Sequence, residues 1–240
     1  MATRNRPLYA VLIDADNIPA KHAEAILREI STFGEPALRR VYGDWSSEQL
    51  RGWAESVRKN GLVAHQETAN TKGKNASDIG LVIDAMDILH TARFDGFVLV
   101  SSDSDFTALA NRIREQGLEV IGIGEQKTPE SLRNVCNRFV LIENLIEDSI
   151  PVKGDAGPKS NKPPAIKAIP LIIAAMEKIE QDDDWYSLSA LGKQLVATNS
   201  DFDTRTYGYK KLSELVGNLN KFEIRKIGST FSARQVPRAN

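Results

Sequence analysis

Two apolar runs in this chain end in aspartates that a hydrophobic core would not hold unpartnered. LYAVLIDADN carries residues 8–13 into Asp14, Asp16 and Asn17. GFVLVSSDSDF carries residues 96–100 into Ser101, Ser102, Asp103 and Asp105. Between them, SDIGLVIDAMDIL sets Asp78 at the head of a helical pattern, with Asp84 further along it. Carboxylates about 4 Å apart repel by roughly 1 kcal/mol in water and roughly 4 kcal/mol at an effective dielectric of about 20. A fold that gathers several of them needs a compensating cation, and hard oxygen donors favour Mg2+ or Mn2+. Thiol and imidazole chemistry has little to work with. Cys136 is the one cysteine, and His22, His65 and His90 are scattered, so no disulfide and no zinc site is expected.

These carboxylates act together only if the fold brings them to one edge. Short apolar runs bounded by polar turns read as buried strands, here 8–13, 37–42, 62–65, 96–100, 118–123 and 139–142. Helical patterns lie between them. One opens at Pro19 and closes near Gly34, one runs over 47–60 to a stop at Gly61, and others span 78–91 and 105–116. Repeated strand–helix units predict an α/β fold, a doubly wound and mostly parallel sheet with right-handed crossovers. Ligands bind such sheets at the carboxyl ends of the strands, so the Asp14 and Asp103 clusters share the functional edge.

The bulk composition is that of an ordinary globular protein, with 41% hydrophobic and 26% charged residues. No apolar run reaches the length of a membrane span and MATRNRPLYA lacks a secretory core, so a cytoplasmic protein without a membrane partner is expected. The net charge of -1 hides an asymmetry: acids lead in residues 1–150, bases in residues 151–240. That arrangement suits an acidic core joined to a module that tolerates polyanions.

The segment PVKGDAGPKSNKPP has almost nothing to bury and predicts a linker over 151–164, between domains at 1–150 and 165–240. Beyond it, Ile169, Ile172, Ile173, Met176 and Ile179 mark a helix over 165–181. Ser187 caps a second, LSALGKQLVA, and a third spans 206–217. FEIRKIGSTFSARQV reads as two strands about a Gly-Ser turn. Three helices and a hairpin are the layout of a C-terminal winged-helix domain.

The strings VLIDADN, SDIGLVIDAMDIL and FVLVSSDSDF together resemble the NYN domain, a LabA-like branch of the PIN-like ribonuclease superfamily, over about residues 7–148. WYSLSALGKQL followed by FDTRTYGYKKLSELV resembles the LOTUS domain, also called OST-HTH, over about 165–237. The resemblance implies a PIN-like fold, a ribonuclease dependent on Mg2+ or Mn2+, and a winged-helix module that binds RNA. Internal (endonucleolytic) cleavage is expected ahead of exonucleolytic trimming, and a homodimer through the nuclease domain is compatible with the family.

Carried onto this sequence, the family motifs imply metal ligation and catalysis by Asp14, Asp78, Asp103 and Asp105. Asn17 matches a position that orients water or phosphate, while Asp16 either supports the site or caps the helix at Pro19. Asp78 and the SSDSDF segment also have plain capping readings, because carboxylates and serines stabilise helix N-termini. Asp84 matches a motif position on another face of its helix and is expected to flank the site. Ser101 and Ser102 can donate to carboxylate or phosphate. Lys72, Lys74 and Asn75 precede Asp78 and could hold backbone phosphates, or simply form a solvated turn. In the second domain Arg205, Tyr207, Tyr209, Lys210 and Lys211 offer cations interleaved with aromatics, as RNA binding by stacking requires. Lys221, Arg225 and Lys226 add charge on the elements that follow, whereas Trp185 reads as core and the acids at 182–184 as a solvated turn that would repel RNA, so any binding face is expected to point away from it. Two alternatives stand: a non-catalytic RNA-binding adapter, and a haloacid-dehalogenase-type phosphatase, whose DxD motif DADN superficially matches.

Overall fold

The computed structural model of the chain describes residues 5–66, 76–147, 162–181, 183–228 and 230–236. Contacts divide the chain into two compact units, Met1–Ile150 and Pro151–Asn240.

The first unit opens with β1 (Leu8–Asp14) and α1 (Ala23–Phe33), which a short 3-10 turn precedes. Then come β2 (Glu35–Gly43), α2 (Arg51–Asn60), β3 (Val63–Gln66), α3 (Ala76–His90), β4 (Gly96–Val100) and α4 (Thr107–Glu115). β5 (Glu119–Gly124), α5 (Glu130–Val135), β6 (Arg138–Leu141) and α6 (Ile142–Glu147) complete it. Every pairing in the sheet is parallel, in the order β3-β2-β1-β4-β5-β6. The expected α/β sheet is therefore present. The short helices α5 and α6 are additions, since neither is long enough to show a 3.6-residue period.

Strand alternation explains the two cores. Tyr9, Val11 and Ile13 of β1 join Ile26, Ile30, Trp53 and Leu145 on one side of the sheet. Ala10 and Leu12 join Leu81, Ala85, Leu109, Ile113 and Leu132 on the other. The central strands thus read as unbroken apolar runs because both faces are covered, with each large side chain contributing about 1.5–3 kcal/mol of burial. The chain builds outward from β1 through β2 to β3, then returns to place β4 on β1's opposite side. Strand order reverses there. Between β1 and β4, crossovers leave in opposite directions and open a crevice at the carboxyl edge.

The second unit has α7 (Ile169–Glu177), β7 (Tyr186–Ser187), α8 (Leu188–Thr198), α9 (Leu212–Gly217), β8 (Phe222–Ile227) and β9 (Thr230–Gln235). An antiparallel sheet of order β7-β9-β8 backs the helices, and Ile172, Leu191, Leu195, Leu215, Phe222 and Ala233 form the core between them. Ser187 caps α8 as its sequence predicts, accepting from the Ala190 amide at 3.1 Å. The third helix is shorter than the expected span over 206–217. Residues Thr204–Tyr207 form a separate 3-10 turn that ends at Gly208, whose φ of 85° is a left-handed conformation most residues avoid.

Candidate active site

Asp14 is the last residue of β1, and Ser101 directly follows β4, with Ile13 and Val100 in register. Adjacent parallel strands ending together set the two side chains side by side at the crevice. Ser101 Oγ donates to Asp14 Oδ2 at 2.8 Å, and Asn17 Nδ2 donates to the same oxygen at 2.6 Å. The amides of Asp16 and Asn17 both reach Oδ1 at 3.2 Å. Asp14 is only 1% exposed. Burial pushes its carboxyl pKa up, against the pull of the Ser101 and Asn17 hydrogen bonds. Four donors occupy roughly the four lone-pair sites a carboxylate offers, so ligation through Oδ2 would require the Asn17 amide or the Ser101 hydroxyl to yield. The turn that carries Asn17 is anchored from below, where the buried Trp53 indole donates to the Ile18 carbonyl at 3.1 Å.

The remaining carboxylates approach from two further elements. Asp103 caps the 3-10 turn Ser104–Phe106, accepting from the Asp105 amide at 2.9 Å, while its own amide donates to Ser101 Oγ at 3.1 Å. Asp78 lies in the first turn of α3. The exposed Asp16 receives the Ser77 hydroxyl at 2.7 Å, which ties the end of β1 to the start of α3. Asp78 is pushed up to about 6, first by burial and then by Asp14, Asp103, Asp16 and Asp105. Every influence on it raises the pKa. Carboxylates on β1, α3 and the segment after β4 therefore share one electrostatic neighbourhood, although Asp14, Asp78 and Asp103 are 25 to 89 positions apart in the chain.

Among the described residues, no three His, Cys, Asp or Glu side chains are gathered closely enough to hold an ion as they stand. The donor set nevertheless suits a divalent cation. It is all oxygen and all hard, and the half-buried Asp78 has like charges around it that a cation would offset. Chelation would require side-chain rotation at Asp14 and Asp103, each of which is engaged in local hydrogen bonds.

Other expected site residues have different employment. Asp84 is held by Arg40 and by the Tyr42 hydroxyl, both on β2, and is not among the groups acting on Asp78. It buttresses α3 against the sheet, because it projects from a different face of the helix than Asp78. Asp16 caps no helix: Pro19 sits at the N-cap without a side-chain hydrogen bond. Ser102 Oγ accepts from the Glu125 amide at 2.9 Å and so fixes the loop after β5 rather than a carboxylate. β5 ends just before that loop at Gly124, where a Cβ would stand 2.6 Å from the Ser101 carbonyl, so glycine permits the close approach. Lys72, Lys74 and Asn75 lie outside the described residues.

The sequence reading passed over Glu125 and Glu143. Both stand at the same edge, after β5 and at the start of α6, and both act on the buried His22, whose pKa burial lowers. Glu143 Oε1 accepts from the Gln126 amide at 2.9 Å. The available signal was that Glu125 directly follows an apolar strand, as Asp14 does.

In the second unit, Arg205 forms a two-pronged pair with Asp203 at 2.6–3.1 Å and keeps 17% side-chain exposure. Tyr207 and Tyr209 pack against the core, Tyr207 with its ring 6.1 Å from that of Phe202. These three residues have structural roles here, leaving Lys210 and Lys211 exposed at the start of α9.

Comparison with known proteins agrees with this architecture. An NYN domain matches residues 9–143 and an OST-HTH/LOTUS domain matches residues 161–231. An uncharacterised protein of Methanocaldococcus jannaschii is 26% identical over 139 residues, 55% of this chain and 54% of the relative. The chain thus spans about half the length of that curated relative. A crystal structure of a protein of unknown function from Vibrio parahaemolyticus shares the fold at a TM-score of 0.50 and 22% identity, covering 59% of this chain and 96% of that one. Among the described residues no helix is long and apolar enough to cross a membrane. With its parallel sheet, its acidic carboxyl edge and a match over more than half its length, the chain belongs to the NYN family of the nuclease superfamily, and an OST-HTH/LOTUS domain follows.

Proposed function

We propose that the first unit is a ribonuclease dependent on Mg2+ or Mn2+ that hydrolyses phosphodiesters within RNA, and that the second unit holds the RNA. The observation that carries the proposal is Asp78, lifted to about 6 by burial and by four other aspartates. A pKa perturbed by desolvation plus named charges, in the crevice of an α/β sheet, is what functional sites produce. A divalent cation bound there supplies Lewis-acid activation of water and neutralises charge on the leaving oxygen.

Asp14, Asp78 and Asp103 would hold the ion, with Asp105 completing the set. Ser101 orients Asp14 and steadies the backbone at Asp103, so a single hydroxyl couples the two strand ends. Asn17 donates to the same Asp14 oxygen as Ser101, and its side-chain amide would turn to water or phosphate once the ion took that oxygen. Membership of the NYN family replaces the phosphatase alternative. The adapter reading draws on one observation, that no three described carboxylates form a closed group.

The test uses purified protein with linear and circular labelled RNAs in Mn2+, Mg2+ or EDTA. Cleavage of the circles that EDTA abolishes is expected. RNA bound but left intact in either metal would favour the adapter. Cutting of linear RNA alone would make the enzyme an exonuclease.

A further inference from the structure

We infer that the outer face of the three-stranded sheet in the second unit, built on Trp185, Arg225 and Arg234, is the surface that takes up single-stranded RNA. The inference rests on the reading that this unit engages RNA, and it assigns the place.

Strand register separates the two faces. Ile224 pairs with Ala233 and Tyr186 with the same Ala233, and all three pack on the helical core. The alternate positions, Arg225 opposite Ser232 and Glu223 opposite Arg234, therefore face away from the helices. Trp185 precedes Tyr186 and falls on that outer side. Both guanidiniums lie over its indole, Arg225 at 4.1 Å and Arg234 at 4.8 Å from the ring centroid. The arginine side chains keep 38% and 39% exposure.

Two acids share the face, and one of them, Asp183, belongs to the acidic turn that a binding face was expected to avoid. Glu223 binds Arg234 at 2.7 Å, while Asp183 stands 3.5 Å from Arg225, at the limit of a hydrogen bond. A guanidinium carries five N–H donors, so neither acid exhausts its partner. With both guanidiniums over one indole, the face presents planar cations, which stack beneath unpaired bases while their remaining N–H groups reach phosphate. Single-stranded RNA supplies both bases and phosphates. The alternative basic site, Lys210 and Lys211, offers charge without such a plane, because Tyr207 and Tyr209 are turned to packing.

Affinity would be read by fluorescence anisotropy of the full chain in EDTA, with a labelled uridine-rich oligoribonucleotide and an abasic ribose-phosphate strand of equal length. R225Q/R234Q should weaken oligonucleotide binding about tenfold or more and flatten its salt dependence. R225K/R234K keeps the charge, so it should bind the abasic strand as the parent does and lose affinity only for the strand bearing bases. That difference is one a folding defect would not produce. Parent-like binding by both double variants, with loss in K210Q/K211Q instead, would overturn the assignment and leave the RNA reading standing. Displacement of the RNA by an equal concentration of polyglutamate would also overturn it, in favour of protein docking. A parent that binds no RNA even at low salt would remove the underlying reading as well.

Discussion

At the end of β1 a carboxylate is 1% exposed, and its neighbour Asp78 is surrounded by burial and other carboxylates. On the second unit's sheet each exposed arginine lies on an indole and beside its own acid. The first arrangement leaves like charges to be offset from outside. The second is largely settled within the protein, and what it exposes is a pair of guanidiniums on an indole, each beside an acid. Chemistry needs the tension, whereas holding a polymer needs only complementary shape and charge.

The largest effect that would break this comparison is at the acidic edge. Asp14→Asn and Asp103→Asn should each reduce metal-dependent cleavage by about a thousandfold, a loss of roughly 4 kcal/mol of transition-state stabilisation. Single-turnover assays at fixed Mn2+, with RNA binding measured alongside, would show whether binding survives. Undiminished cleavage by either variant would remove the proposed centre.

Next in size is the independence of the two units. Leu195→Ala opens a cavity in the second unit's core and should cost about 2–5 kcal/mol there. Calorimetry should show one transition shifted and the other in place, with RNA affinity lost but cleavage of short RNAs retained. A shift of both transitions would show that the units stabilise one another.

A smaller effect separates buttress from ligand. Asp84→Asn weakens contacts with Arg40 and Tyr42 and should cost about 1–3 kcal/mol of stability, as hydrogen bonds to charged groups do. Cleavage rate per folded molecule should stay within a few-fold of the parent. If Mn2+ affinity falls in step, Asp84 belongs to the centre.

The smallest effect is the most diagnostic. Asp78 titrates near 6 in the folded chain and at an ordinary carboxylate value when unfolded, so the folded state binds the extra proton between the two. Its contribution to stability therefore falls as pH rises from about 4 to about 6 and stays low above. Without metal at neutral pH, Asp78→Asn should melt slightly above the parent. Asp14→Asn tests this less cleanly, because its four hydrogen bonds are disturbed as well. Stabilisation of the parent by Mn2+ should grow as pH rises through about 6, since the ion competes with the proton. A pH-independent Mn2+ shift would place the ion elsewhere.

Much of this was legible in the sequence because the signals were local. A strand buried on both faces must be apolar along its length, so LYAVLI and GFVLV announce β1 and β4, and the acids that end them mark an edge. Ser187 announced its cap for the same reason. Helices α5 and α6 were too short to show a period, and the break at Gly208 was outweighed by the helical residues on either side.

Contacts between distant segments needed the fold. That Asp14, Asp78, Asp103 and Asp105 share a field follows from strand order reversing between β1 and β4. That Asp84 does not join them follows from Arg40 and Tyr42 lying beneath its face of α3. Trp185, read as core, instead lies under two arginines that register alone brings to it. Residue type and spacing determined which strands form and which chemistry is available. Tertiary structure decided which charges meet, because a side chain's partner is set by the path of the chain through space and not by its neighbours in sequence.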